Sequence, residues 1–332
     1  MDVNPVNSAL PQGNRHGGIA QAWTGDDQDW WDWYVTLAQN DESPSPLAAG
    51  PGLPHGKPAD EEQLRRELQS PYHLAAAERS AFLRDGFVKL SNVLSHSVVR
   101  RLAEQLDCLL QAAHGGDVVG RFIALEQLWL HDEVMRQLAL SPRLAGIAAD
   151  LLGEPAVRLY HDNALSKEPG CGRTPWHHDA EHFPLATLQV VTSWIPVTAI
   201  PASMGPLALA RGDHVRDLVA DLRFDKVGTA YDEAVAQRFA EADVAVDSSP
   251  FGIGEVSFHS SLCFHTAGPN RSMQPRRALA TTYFADGARV VASPTLVSGC
   301  WRDFLPGVEP GGLAASTLNP IVPRPSAPDF SI

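Results

Sequence analysis

Residues 258–284 read FHSSLCFHTAGPNRSMQPRRALATTYF, a stretch that predicts two short strands joined by a turn. The first strand is rich in Phe and Cys and ends at His265, and Gly268-Pro269-Asn270 provides the turn. A second apolar strand opens at Arg276-Arg277. A hairpin of this kind would place the Arg276 side chain near His265 across one sheet.

Similar short segments of β-forming residues, separated by glycine and proline, begin after Pro155. Upstream, apolar residues at helical spacing predict one helix capped by Ser95 and a second over residues 142–152. Helices followed by many short strands predict one β-barrel or sandwich core backed by N-terminal helices. The predicted strands are Val157–Leu165, Thr187–Val197, Gly205–Ala210, Gly254–His259 and Arg277–Ala285.

The first 60 residues differ in texture from the rest of the chain and are expected to be an appendage. Residues 23–33 (WTGDDQDWWDW) contain four tryptophans, and residues 41–58 contain five prolines and three glycines, which is typical of an extended surface strap. A lid over a site and a purely structural strap are both open as its role. Residues 61–332 are expected to form one domain, with a helical part at 61–153, a β core at 155–290 and a C-terminal extension at 291–332.

The composition is that of an ordinary globular protein, with 44% hydrophobic and 20% charged residues in a chain of 332. The formal net charge of −13 argues against nucleic acid or an anionic membrane as a partner. Neither a secretory signal nor a long apolar run is visible, and the four cysteines lie far apart with no CxxC pair. These features favour a cytoplasmic protein with reduced thiols.

The segment TPWHHD at residues 174–179 contains the pattern with the clearest chemical meaning. If it is extended, His177 and Asp179 point to one side and His178 to the other. Such an N,O pair suits Fe(II), Mn or Zn and needs one more histidine to complete a 2-His-1-carboxylate face. His265 is favoured for that position by the turn and arginine that follow it, and His259 is the rival.

Four segments together resemble the phytanoyl-CoA dioxygenase family of Fe(II)/2-oxoglutarate-dependent oxygenases. They occur in the family's order and span roughly residues 75–310. The resemblance implies a mainly β protein with flanking α-helices and a double-stranded β-helix (jelly-roll, cupin-like) core that holds the metal at its mouth. The matching segments are RLYHDNALSKEPG (158–170), TPWHHD (174–179), SWIPVTAIPASMGPLALARGDH (193–214) and HTAGPNRSMQPRRA (265–278).

Carried over position by position, the resemblance implies that His177, Asp179 and His265 bind Fe(II). Arg276 then corresponds to the residue that binds the distal carboxylate of the cosubstrate 2-oxoglutarate. A guanidinium suits this task because it forms bidentate, charge-assisted hydrogen bonds with a carboxylate.

Two further residues are expected beside the cosubstrate. Lys167 falls where several family members have a basic residue, and Trp194 falls on a strand that lines the same pocket. Selectivity for the substrate is expected to come from loops at the barrel mouth, here Glu181–Ala186, His214–Val246 and the N-terminal strap.

The expected reaction is hydroxylation of an unactivated C–H bond in a small organic metabolite or natural-product intermediate. It consumes O2 and 2-oxoglutarate and releases succinate and CO2. The presence of Asp179 favours hydroxylation, or desaturation and ring chemistry by the same oxidant, over halogenation, because related halogenases have a small residue there. Two alternatives stay open, namely a 2-oxoglutarate-independent cupin-type metalloenzyme and a non-catalytic binding protein that keeps the fold.

Overall fold

Two antiparallel sheets, preceded by a layer of helices, form the body of the chain. The computed structural model describes residues 48–114, 119–212, 214–224 and 229–325. Within these residues, no helix is both long and apolar enough to cross a membrane. The helices are α1 (Glu61–Gln69), α2 (Ala76–Asp85), α3 (His96–His114), α4 (Glu133–Ala139), α5 (Pro142–Leu152), α6 (Val215–Leu218) and α7 (Ala230–Glu241).

The larger sheet has seven strands in the order β1-β8-β5-β10-β3-β11, with β2 also paired to β3. The smaller sheet has four strands in the order β4-β9-β6-β7. This arrangement confirms the jelly-roll core expected from the sequence. The strands are β1 (Phe87–Leu90), β2 (Phe122–Glu126), β3 (Val157–Lys167), β4 (Thr174–His177), β5 (Val190–Pro196), β6 (Leu207–Ala210), β7 (Val246–Asp247), β8 (Val256–Ser260), β9 (His265–Ala267), β10 (Arg276–Ala285) and β11 (Ile321–Val322).

The two faces of strand β10 contact different parts of the protein. Leu279 and Tyr283 belong to the main apolar core, which the helices share with this sheet. Ala280 and Thr282 line a cavity on the opposite side. This alternation is the two-residue period of a β-strand, so one strand supports the helical layer and also forms a cavity wall.

The predicted hairpin between His265 and Arg276 is wrong. His265 does not end the preceding strand but begins β9, after a turn over residues 261–264 that separates it from β8. Strand β9 pairs with β4 and β6 in the smaller sheet, while β10 pairs with β3 and β5 in the larger one. The turn at 268–270 therefore carries the chain from one sheet to the other, and His265 and Arg276 approach the cavity from opposite walls.

The described end of the strap runs along the surface of the β core. The backbone amide of Ala48 donates to the Arg271 carbonyl, and the Met273 amide donates to the Ala48 carbonyl, both at 2.8 Å. Ala59 then donates to the Ser97 carbonyl at 2.9 Å, near the start of α3. The tryptophan-rich segment at 23–33 lies outside the described residues.

Both predicted helix caps are present. The Val98 amide donates to Ser95 Oγ at 3.4 Å at the start of α3. At the start of α5, Ser141 Oγ accepts from the Leu144 amide at 3.3 Å and donates to the Leu68 carbonyl at 3.0 Å. Ser141 is fully buried, so this one hydroxyl both caps α5 and ties it to the end of α1.

We expect Ser141→Ala to lower the free energy of unfolding by about 1–2 kcal/mol, because it removes a helix cap and leaves a buried carbonyl unpaired. Urea denaturation measures the change. Ser80→Ala, at an exposed position inside α2, is the matched control and should cause no loss, since alanine favours the helix. Equal stability of the two variants would contradict the assigned role of Ser141.

Candidate active site

A cavity of about 280 Å³ lies between the two sheets. The larger sheet contributes residues from β2, β3, β5, β8 and β10, and the smaller sheet contributes residues from β4, β6 and β9. Segments outside the strands, including Ser298 and Phe304, complete the lining. Side chains from both sheets therefore converge on one cavity.

The pairing register between β4 and β9 determines the positions of His177 and His265. His177 and His265 are directly opposite each other in this antiparallel pair. Opposite residues share a face of the sheet, and the two ring centroids lie 4.2 Å apart. Both rings line the cavity.

Asp179 follows immediately after β4. Its backbone amide donates to the Ser261 carbonyl at 3.0 Å, which fixes the chain beyond the end of the strand. Its Oδ1 lies 3.6 Å from His177 Nε2 and 3.9 Å from His265 Nε2. One atom from each of the three side chains falls within 4.8 Å of the others, which is the arrangement that a shared metal ion requires.

The hydrogen bonds of the two histidines leave the correct nitrogen available. The ring Nδ1 of His177 donates to the Pro175 carbonyl at 2.8 Å, and that of His265 donates to the Cys263 carbonyl at 2.9 Å. A carbonyl only accepts hydrogen bonds, so each Nδ1 carries the proton and each Nε2 presents its lone pair towards Asp179.

The electrostatics of the cluster also suit a metal ion. Burial lowers the pKa of His177 and of His265, and the proximity of the two rings lowers that of His177 further. Burial alone would raise the pKa of Asp179, but the surrounding histidines, His265 most strongly, outweigh it and hold this pKa well below its usual range. Neutral imidazoles beside an ionised carboxylate are the protonation states that metal binding needs.

The other histidines near the site have different positions. The ring of His178 is turned towards Phe264, as strand alternation predicts. His259 Nε2 lies 3.8 Å from the other oxygen of Asp179, and His182 Nδ1 lies 3.7 Å from Oδ1. His259 and His182 thus flank the carboxylate of Asp179 but lie outside the three-residue cluster that could hold a metal ion.

Arg276 is a buried cation on the opposite wall. Its Nη1 donates to the Gly205 carbonyl at 2.9 Å, and its guanidinium lies over the Trp194 ring, 5.4 Å from the centroid. Burial lowers its pKa to about 10, so the group stays charged near neutral pH. Among the described residues, no hydrogen-bond partner reaches its Nε and no carboxylate lies within ion-pair distance. A buried cation of this kind is suited to an anionic ligand.

Trp194 lines the cavity, whereas Lys167 does not. Trp194 is buried and lines the cavity beside Arg276. Lys167 is also buried, but it is not a lining residue: its ammonium group donates to the carbonyls of Gly172, Ala267 and Gly268 at 2.7, 3.2 and 3.0 Å. Lys167 thus fastens β3 to the loop that follows β9. Its role beside a cosubstrate stays a prediction.

Several lining residues were not predicted from the sequence. Glu126 at the end of β2, Tyr160 on β3, and Cys300 and Phe304 in the C-terminal extension all border the cavity. Only Tyr160 lies in one of the four matched segments (158–170), and residues 298–304 reach the cavity only through tertiary folding. The available signal was strand alternation in β3, which puts His161, Asn163 and Leu165 on one face, and all three line the cavity.

The facing sheets, the histidine and carboxylate cluster and the buried arginine together define a jelly-roll oxygenase that uses Fe(II) and 2-oxoglutarate. The chain belongs to the phytanoyl-CoA dioxygenase (PhyH) family, whose sequence profile matches residues 82–278. This membership confirms the resemblance drawn from the four segments and favours an oxygenase over a 2-oxoglutarate-independent enzyme or a non-catalytic protein.

Named relatives are similar over much of the chain. 1-Deoxypentalenic acid 11-beta-hydroxylase of Streptomyces exfoliatus is 30% identical over 210 residues, which cover 57% of this chain and 73% of the relative. L-proline trans-4-hydroxylase of Streptomyces griseoviridis is 27% identical over 252 residues, covering 68% and 92%. Among solved structures, the epimerase SnoN in complex with Fe3+, alpha ketoglutarate and nogalamycin RO matches with a TM-score of 0.59, 25% identity and coverage of 74% and 97%.

The structural position of Lys167 can be separated experimentally from a role in binding the cosubstrate. We expect Lys167→Met to lower the free energy of unfolding by roughly 2–4 kcal/mol, because three buried carbonyls lose their donor. The affinity of the folded variant for 2-oxoglutarate should stay within about threefold of the parent. Urea denaturation and anaerobic cosubstrate titration measure the two effects, with exposed Lys57→Met as the control. Unchanged stability with a large loss of affinity would restore the role predicted from the sequence.

Proposed function

We propose that His177, Asp179 and His265 hold Fe(II) in the cavity. The observation that carries this proposal is the cluster itself, in which two Nε2 lone pairs and one ionised carboxylate lie within 4.8 Å of one another. Two histidines and one carboxylate on one face of a metal are typical of non-haem iron oxygenases, because they leave positions open for other ligands.

We further propose that Arg276 binds the distal carboxylate of 2-oxoglutarate. The guanidinium is buried, charged and at the cavity wall opposite the metal cluster, with its Nε available. The Trp194 ring lies 5.4 Å from the guanidinium, and the Gly205 carbonyl accepts a hydrogen bond from Nη1. The remaining donors suit a carboxylate fork.

Iron bound here would supply the oxidative chemistry, coupling the decarboxylation of 2-oxoglutarate to succinate and CO2 with hydroxylation of a C–H bond by O2. The chain supplies position and environment. The Pro175 and Cys263 carbonyls hold the two histidine rings in the ligating tautomer. Apolar lining residues such as Leu165, Leu207 and Ala280 would limit the contact of the reacting atoms with bulk water.

The substrate is proposed to be a small organic molecule, because the cavity of about 280 Å³ must accommodate the cosubstrate as well. The hydroxylase relatives named above support C–H hydroxylation. Phe183, from the loop at 181–186, and Phe224, from the segment at 214–246, line the cavity and support the role proposed for these loops. The net charge of −13 supports the absence of nucleic-acid and membrane partners. The four free cysteines support a location in the reducing cytoplasm.

Replacing any ligand with alanine should remove the metal. We expect His177→Ala, Asp179→Ala and His265→Ala to weaken Fe(II) binding by more than about 100-fold, since loss of a ligand costs more than loss of an outer-shell contact. Anaerobic titration followed by metal analysis gives the stoichiometry, and circular dichroism checks the fold.

His259→Ala is the matched control for this experiment. Its ring also faces Asp179 but lies outside the metal cluster, so this variant should still bind one metal ion, with about tenfold weaker affinity at most. Retention of metal in His265→Ala together with its loss in His259→Ala would show that His259 is the second histidine ligand.

Replacing Arg276 with glutamine should weaken binding of the cosubstrate and leave binding of the metal ion unchanged. Loss of the charge-assisted hydrogen bonds should cost roughly 1.5–3 kcal/mol, or about ten- to a hundred-fold in affinity for 2-oxoglutarate. The weak visible charge-transfer band of the anaerobic iron–2-oxoglutarate chelate reports this affinity.

Arg277→Gln serves as the control. Arg277 follows Arg276 on β10, but it pairs with Asp107 on α3 and does not line the cavity. Its cosubstrate affinity should match that of the parent. An unaltered affinity of Arg276→Gln for 2-oxoglutarate would contradict the proposal that Arg276 binds the distal carboxylate.

A further inference from the structure

The half of the cavity that faces away from Arg276 has its own character. Four rings meet there: Phe304 lies 5.6 Å from Tyr160 in a stacked arrangement and 4.9 Å from His161 edge to face, and Phe183 lies 4.9 Å from Tyr160. All four rings line the cavity. Aromatic walls of this kind bind the hydrocarbon body of a ligand and attract a cation through their π faces.

The charged groups on the cavity wall are distributed unevenly. Arg276 is the only lysine or arginine among the described residues that line it, whereas Glu126, Asp179 and Asp303 are acidic. Under the proposed function, iron would neutralise Asp179 and 2-oxoglutarate would neutralise Arg276. Glu126 and Asp303 are the other two acidic side chains of the described lining.

Glu126 lies within the aromatic half of the cavity. It ends β2, directly opposite Asn163 on β3, and its Oε1 lies 3.8 Å from His161 Nδ1. The side chain is 23% exposed, so its carboxylate is only partly solvated. Asp303 is exposed at the rim, next to Phe304. A partly buried carboxylate beside aromatic rings is the environment that stabilises an ammonium group.

We infer that this subsite recognises a protonated amine, and that the substrate of the proposed oxygenase is a small molecule with an amino group on an apolar body. The inference rests on the proposed function for the placement of the cosubstrate at Arg276. Glu126 accepts hydrogen bonds from the ammonium group, and the rings of Tyr160, Phe183 and Phe304 enclose the apolar body. Acidic substrates are disfavoured, since the carboxylate of Glu126 would repel them.

A matched series of three probes tests the charge preference: 2-phenylethylamine, 2-phenylethanol and 3-phenylpropionate. Calorimetry under anaerobic conditions, on the protein carrying Fe(II) and 2-oxoglutarate, gives the three dissociation constants. We expect the amine to bind at least about tenfold more tightly than the acid, with the alcohol between them. Equal or tighter binding of the acid would overturn the inference, and so would a lack of amine binding up to about 10 mM.

Variants locate the effect. Glu126→Gln should weaken binding of the amine about tenfold and leave binding of the alcohol unchanged. Glu309→Gln should change the binding of neither probe, because Glu309 is exposed and lies outside the cavity lining. Phe304→Leu should weaken both probes. An unchanged ratio of amine to alcohol affinity in Glu126→Gln would overturn the role of Glu126.

The outcome is separable from that of the proposed function. The comparison of amine with alcohol is repeated without iron and 2-oxoglutarate on the parent and on Glu126→Gln. Without iron the Asp179 carboxylate in the same cavity also attracts the amine, so only the part of the preference that Glu126→Gln removes counts for the subsite. A preserved preference for the amine, with no chelate band when iron and 2-oxoglutarate are added, would reject the proposed function and support the amine subsite. A ratio near one in both states would reject the subsite whatever the chelate does.

Discussion

The pairing of β4 with β9 is the constraint on which the rest of the site depends. It puts His177 opposite His265 and brings Asp179, two residues after His177, to the same place. A slip of one residue would turn these side chains to the other face of the sheet. The register is secured on that other face, where the Trp176 ring stacks on Phe264 with centroids 5.7 Å apart. Apolar packing on one face thus fixes polar chemistry on the other.

Asp179 and Arg276 lie on opposite walls of the cavity. Among the described residues, no lysine or arginine lies within ion-pair distance of Asp179, and no carboxylate lies within that distance of Arg276. The rings of His177 and His265 face Asp179, and a carbonyl oxygen and an indole ring face Arg276. Burying a charge without an oppositely charged partner costs free energy, so this site favours binding of one cation and one anion. Binding of a metal ion and a dicarboxylate would supply the missing charges and stabilise the folded chain.

Patterns that are local in the sequence were predictable, and contacts made across the fold were not. Strand alternation correctly set His177 and Asp179 apart from His178, because it needs only the backbone period. The hairpin failed because a turn alone cannot say whether the chain returns to the same sheet or crosses to the facing one. Strand alternation puts Lys167 on the face of β3 that points towards the cavity. Its long, flexible side chain nevertheless carries the ammonium group to backbone carbonyls, and alternation does not predict how far a side chain reaches.

The two halves of the cavity are therefore built differently. The end with the His177–Asp179–His265 cluster and Arg276 comes mainly from strand residues, whose positions follow from strand pairing. The apolar core holds the opposite face of these strands in place. The aromatic end depends on residues 298–304, a segment held by contacts such as the donation of Ser298 Oγ to the Glu181 carbonyl at 2.9 Å. Substitutions in such a segment leave the β4–β9 register intact. The fold can thus keep one oxidative chemistry while the segments around its mouth change the molecule on which that chemistry acts.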